Sequence, residues 1–111
     1  MTVLVKICGI TTVEDALMAE EAGADAIGLV LYQNSRRYVD LQQAIKIKQV
    51  LSQDTLCVAL VVNAEKDFVN SVISHLKPSF VQFHGDESPD FCHQFNYPFI
   101  RAIRMREGLD L

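Results

Sequence analysis

Short runs of β-branched, aliphatic and aromatic residues recur at positions 2–8, 26–32, 56–62, 80–84 and 99–105. Each has the length and residue types of a buried strand. Between them, apolar positions follow helical spacing, with start and stop signals at the expected places. Thr11 and Glu14 have capping-box spacing, and Gly23 suits a left-handed helix stop, which predicts a first helix between them. Asp40 and Gln43 open a second helix in the same arrangement. Leu41, Ala44, Ile45 and Lys48 then share a face, so Lys48 has to snorkel its charge to water. Phe68, Val69, Val72, Ile73 and Leu76 form the clearest apolar stripe, that of a third helix. Ser88-Pro89 combines a cap residue with the proline that suits a first turn, and Phe91, Cys92 and Phe95 supply the buried side of a fourth.

The order β-α-β-α-β-α-β-α-β implies an α/β protein, a parallel sheet covered by helices. No linker or low-complexity tract divides it. Two architectures compete, an open doubly wound sheet and a (β/α)8 barrel of the TIM-barrel family. A dinucleotide-binding unit would place G-x-G-x-x-G after strand 1, but Cys8-Gly9-Ile10-Thr11 offers one glycine. A flavodoxin-like five-stranded sheet fits the length, yet polar groups at the strand ends speak for the barrel. A complete barrel takes roughly 200 residues or more. The 111 residues are therefore expected to form one incomplete domain, the first four and a half or so β/α units (parallel strands 1–5).

Composition narrows the function classes. Half the residues are apolar, 22% are charged, and the net charge is -4, an ordinary globular balance. Mild acidity argues against nucleic-acid or anionic-membrane partners, which need clustered Lys and Arg. No apolar run approaches the roughly 20 residues of a membrane span. Met1-Thr2-Val3-Leu4-Val5-Lys6 lacks the order of a signal peptide. Cys8, Cys57 and Cys92 each lie in an apolar segment, which reads as reduced thiols in a cytoplasmic protein. Metal-ligand spacing of Cys and His is absent, and no metal is expected.

Alternation places Leu4, Lys6 and Cys8 on one face of strand 1. A lysine in a buried strand is costly unless it is paired or lines a polar cavity. Cys8 falls at the carboxyl end of that strand, where barrels and open sheets both carry their active sites. A neighbouring helix N-terminus and Lys6 would favour its thiolate; the alternative is a small apolar core residue. Gln82 and His84 share a face at the end of strand 4, where they line a wet pocket or satisfy structural hydrogen bonds. His75 and His93 read as surface residues of helices. Arg36 and Arg37, on the loop after strand 2, could hold an anionic group through bidentate contacts or simply be solvated.

Three segments together carry a resemblance. Lys6-Ile7-Cys8-Gly9-Ile10-Thr11 is similar to an opening K-[IV]-C-G-[IL]-[TK] signature. Gly28-Leu29-Val30-Leu31-Tyr32, with Ser35-Arg36-Arg37-Tyr38-Val39, resembles G-[FL]-x-[FL]-x…S-x-R-x-[VI]. Phe80-Val81-Gln82-Phe83-His84-Gly85-Asp86-Glu87 resembles V-Q-L-H-G-x-E. In this order and spacing they resemble the phosphoribosylanthranilate isomerases of tryptophan biosynthesis, which are (β/α)8 barrels. The resemblance implies an Amadori rearrangement of a phosphorylated sugar–anthranilate substrate to its 1-deoxyribulose 5-phosphate isomer, without a cofactor. It implies Cys8 as general base, Arg37 as anchor of the anthranilate carboxylate, and Lys6, Gln82 and His84 as residues around the substrate. Arg36 stands where the family usually has proline. The family's general acid, an aspartate near strand 6, and its phosphate-binding glycines, after strands 7 and 8, have no counterpart among the motifs quoted.

The 111 residues alone are accordingly expected to be inactive and to associate, as a homo-oligomer or with the other half of a barrel. Other readings remain open at this point. One is a different phosphosugar barrel enzyme, such as an indole-glycerol-phosphate synthase or a pentose-phosphate epimerase. Others are a receiver-like module, for which the strand ends lack acidic residues, and a non-catalytic half-barrel assembly unit.

Overall fold

The structure is a computed structural model describing residues 4–101. Its elements follow the expected order: β1 (Lys6–Cys8), α1 (Val13–Glu21), β2 (Ala26–Val30), α2 (Leu41–Val50), β3 (Leu56–Val61), α3 (Lys66–His75), β4 (Phe80–Phe83), α4 (Pro89–His93) and β5 (Phe99–Arg101). The strands are shorter than the apolar runs that announce them. The parts of the first and last runs at 2–3 and 102–105 lie outside the described residues.

All five strands are parallel and stand in the order β1-β2-β3-β4-β5. That order settles the competition between architectures. A doubly wound sheet reverses its strand order at a switch point and carries helices on both faces. Here the sheet grows in one direction, and right-handed crossovers then lay every helix on the same face. Burial agrees. Ile27, Leu29, Cys57, Ala59, Val61, Val81 and Phe83 project toward the helices and form one cluster with Ala16, Ala19, Ala44, Ile47, Val69, Val72 and Cys92. Fully burying a side chain such as Ile27 or Phe83 contributes about 1.5–3 kcal/mol. The intervening strand residues make the other face: Lys6 and Cys8; Ala26, Gly28 and Val30; Leu56, Val58 and Leu60; Phe80 and Gln82; Ile100. Ala26, Val30 and Val58 are buried there but stand outside the core cluster, while Leu56 and Ile100 are exposed.

The helix signals hold with three corrections. The N-cap of α1 is Thr12, not Thr11: its hydroxyl accepts from Asp15 N at 3.0 Å. Its stop at Gly23 (φ +97°) is as expected, with Gly23 N donating to Glu20 O and Ala24 N to Ala19 O, a Schellman closure. In α2 the Asp40 carboxylate caps Gln43 N at 2.8 Å, but the reciprocal half of the box is missing. Gln43 Nε2 donates instead to Thr11 O, which ties α2 to the loop after β1. Ile47, rather than Leu41 or Ile45, joins Ala44 as a buried residue of α2. Ser88 caps α4 as predicted, accepting from Phe91 N.

Candidate active site

The open face is curved enough for its first and fourth strands to touch. Lys6 Nζ on β1 donates to Gln82 Oε1 on β4 at 2.5 Å, with β2 and β3 between them. Three strand steps of ~4.8 Å would separate those backbones by ~14 Å in a flat sheet. The register also informs: Lys6 aligns with Ala26, whereas Gln82 aligns through Leu60 with Val30, four residues further along (30 − 26 = 4). A barrel's strand tilt of ~36° displaces strands by about three residues over three steps. The contact therefore has the offset of a tilted, closing sheet. It also answers the charge on Lys6, which is exposed on that face and paired with Gln82.

Cys8 ends β1 on the same face, and its thiol is exposed. The chain leaves it through Gly9 (φ +86°), and Gly9 N and Ile10 N both donate to Gly28 O, at 3.0 and 3.2 Å. Gly28 is the register partner of Cys8, and a Cβ built on it would lie 2.8 Å from Cys8 Sγ. A Cβ on Gly9 would meet Arg37 Cγ at 3.1 Å, so the stem of Arg37 lies on the residue that follows the thiol. The loop carrying Arg37 is organised by Ser35, whose Oγ accepts from Arg37 N at 3.0 Å and whose carbonyl accepts from Tyr38 N at 3.2 Å. Val39 N then returns to Val30 O beside a Val30–Tyr38 bridge. Arg36 and Arg37 are exposed.

Buried Gln82 faces the trough as its parity predicts, and exposed His84 follows β4, its N–H donating to Val61 O at 2.9 Å. The structure thus brings Lys6, Gln82, Cys8 and Arg37 to one face and rim, with His84 at the end of β4. His75 and His93 are exposed and belong elsewhere: His75 Nδ1 meets Ser71 O, and the His93 ring stands edge-on to Phe99.

Sequence reasoning missed a network at this rim. Glu87 is buried, and its carboxylate accepts from Asn63 N at 2.7 Å and Gly85 N at 2.8 Å. Asn63 (φ +49°) reciprocates, its Oδ1 accepting from Asp86 N, and Arg101 Nε donates to Glu87 O. The loops after β3 and β4 are thereby fastened to each other. Nothing in local spacing distinguishes Glu87 from a solvated loop acid.

The remaining thiols differ from Cys8. Burial pushes Cys57 up to about 11, against a weaker opposite pull from Lys48. Burial also raises Cys92, assisted by the Glu87 charge and opposed by Arg101. Both stay protonated at neutral pH, which leaves Cys8 as the accessible thiol among the described residues.

A sequentially ordered parallel sheet, helices on one face and polar side chains gathered at the strands' carboxyl ends define a barrel-type α/β protein. Residues 5–111 match N-(5'phosphoribosyl)anthranilate (PRA) isomerase, and the chain belongs to that family. An N-(5'-phosphoribosyl)anthranilate isomerase of Nitrosomonas eutropha is 46% identical over 111 residues, covering 100% of this chain and 53% of the relative. Among solved structures, a phosphoribosyl anthranilate isomerase in complex with reduced 1-(o-carboxyphenylamino)-1-deoxyribulose 5-phosphate superposes with a TM-score of 0.88 at 38% identity. The match covers 92% of this chain and 54% of that one. A structure of mutually generated monomers of the dimeric Thermotoga maritima enzyme gives 0.85 at 36% identity, covering 92% and 53%. The chain spans about half the length of the curated relatives it matches. No described helix is long and apolar enough to cross a membrane.

Proposed function

We propose that this chain carries one half of the active site of a cytoplasmic phosphoribosylanthranilate isomerase, in a single domain that is the first part of a (β/α)8 barrel. The reaction is the Amadori rearrangement of N-(5-phosphoribosyl)anthranilate, and it needs no cofactor. An acid protonates the furanose ring oxygen and the ring opens to a Schiff base. A base then removes the sugar C2 proton, and the enolamine tautomerises to the ketone. Cys8 is that base. Its thiol is exposed, and its backbone is held in the β1–β2 ladder opposite Gly28, which fixes the position a base needs. Arg37 anchors the anthranilate carboxylate from the rim, its stem seated on Gly9. Lys6 and Gln82, joined across the trough, present a cation and an amide to the polar substrate, and His84 lines its edge. The acid and the phosphate-binding groups come from outside the described residues. A second copy or a C-terminal half-barrel completes the open face.

The observation that carries this reading is Cys8 exposed on the same curved face as the Lys6–Gln82 pair. The test is loss of phosphoribosylanthranilate fluorescence, with the chain alone and mixed with the C-terminal half of the Nitrosomonas eutropha relative. Turnover in the mixture that falls by about 10²–10⁴ in Cys8→Ser is expected, the usual contribution of a general base. Undiminished turnover in Cys8→Ser would sink the assignment.

A further inference from the structure

We infer that Gly28 is a positioning residue for the Cys8 thiol, acting by the space its missing side chain leaves. This deepens the proposed reading, resting on Cys8 as the reactive group. Two common reasons for a glycine fail here. Gly28 does not occupy the positive-φ region, which among the described glycines belongs to Gly9 and Gly23. Nor does it terminate an element: it is the middle residue of β2, where glycine is less favourable than alanine by roughly 0.5–1 kcal/mol. Its neighbours on the same face, Ala26 and Val30, carry side chains. What position 28 lacks is room. A Cβ there would stand 2.8 Å from Cys8 Sγ and 3.2 Å from both Cys8 Cα and Cys8 Cβ.

The thiol therefore leans over the bare backbone of β2. That same residue's carbonyl receives Gly9 N and Ile10 N, so one residue holds the turn after Cys8 by its backbone and admits the sulfur by its absent side chain. A methyl at position 28 would have to drive Sγ off by about 1 Å to reach ordinary contact. A displacement of that size at a reacting group costs up to about a hundredfold in rate. The methyl would also take water from the thiolate, which disfavours the charged form.

The test is alkylation of the 111-residue chain with iodoacetamide across pH, followed thiol by thiol. Buried Cys57 and Cys92 serve as reporters of folding. In Gly28→Ala, Cys8 should react about tenfold more slowly at neutral pH, with its midpoint moved upward, while the other thiols stay protected. A Cys8 rate and midpoint equal to wild type, with the other two protected, would overturn the inference. If Gly28→Ala exposes Cys57 and Cys92, the double variant Cys8→Gly/Gly28→Ala decides. Recovered protection supports the contact, since the obstructing side chain is gone; continued exposure refutes it. Full turnover in Cys8→Ser would remove the thiol's catalytic role and leave the alkylation result standing, so the two failures are distinguishable.

Discussion

At the amino ends of the strands, side chains fasten the chain to itself. Asp25 accepts from Val5 N, Glu20 accepts from Ser52 N and the Thr55 hydroxyl, Ser79 Oγ accepts from Cys57 N, and the Tyr97 hydroxyl donates to Pro78 O. At the carboxyl ends, Cys8, Arg36, Arg37 and His84 are exposed, and glycines at 9 and 85 stand where a side chain would crowd a neighbour. The difference separates the requirements of staying folded from those of meeting a ligand, as barrel proteins do. It is not absolute. Glu87 and Asn63 put a fastening of the first kind among groups of the second.

That exception gives the largest expected effect. Glu87→Ala leaves two backbone N–H groups without their acceptor, at about 1–3 kcal/mol each. Urea denaturation should show a loss of about 2–4 kcal/mol, and a loss near zero would mean water replaces the carboxylate at this rim. At the opposite end the effect is smaller and depends on pH. Thr55 foremost, with Ser52, holds the Glu20 carboxyl below its ordinary 4.5. A lowered folded-state value means stability that is complete above 4.5 and disappears as pH falls through the lower value. Glu20→Gln should therefore melt below wild type at pH 7, with the gap closing in acid; a gap that stays constant would show that Glu20 does not titrate differently on folding. The smallest structural effect belongs to the exposed rim. Arg37→Lys should alter stability by less than about 0.5 kcal/mol. In the reconstituted enzyme it should raise KM about tenfold through the lost fork. Equal KM values would mean that Arg37 is solvated, not bonded to substrate.

The element order was readable because strand and helix periods alternate cleanly, and parity put Lys6 with Cys8 on one face of strand 1 and Gln82 with His84 on one face of strand 4; that the two faces coincide needed the register. The Lys6–Gln82 contact was not readable, since it depends on how far the sheet curls. Gly28 and Gly85 were equally opaque: a glycine within a run or beside a turn suits many purposes, and only a neighbour's position selects one. Thr12 displaced Thr11 as cap because adjacent threonines offer the same hydroxyl one residue apart, and Thr12 is the one that lies extended with its hydroxyl on Asp15 N. Glu87 stayed hidden because its partner Asn63 lies 24 residues away in another loop.

The sequential strand order also bears on how the protein comes to be folded. Each strand pairs with its predecessor across a short interval: 20 residues from Lys6 to Ala26, 30 from Ala26 to Leu56, 22 from Val58 to Phe80 and 18 from Val81 to Phe99. Every ladder can thus form soon after its second strand leaves the ribosome, without waiting for a distant partner. The Lys6–Gln82 link spans 76 residues and can close only when four strands are in place. The face on which Cys8 lies is thus drawn together only after β4 has been made, later than the β1–β2 ladder that fixes Cys8 itself.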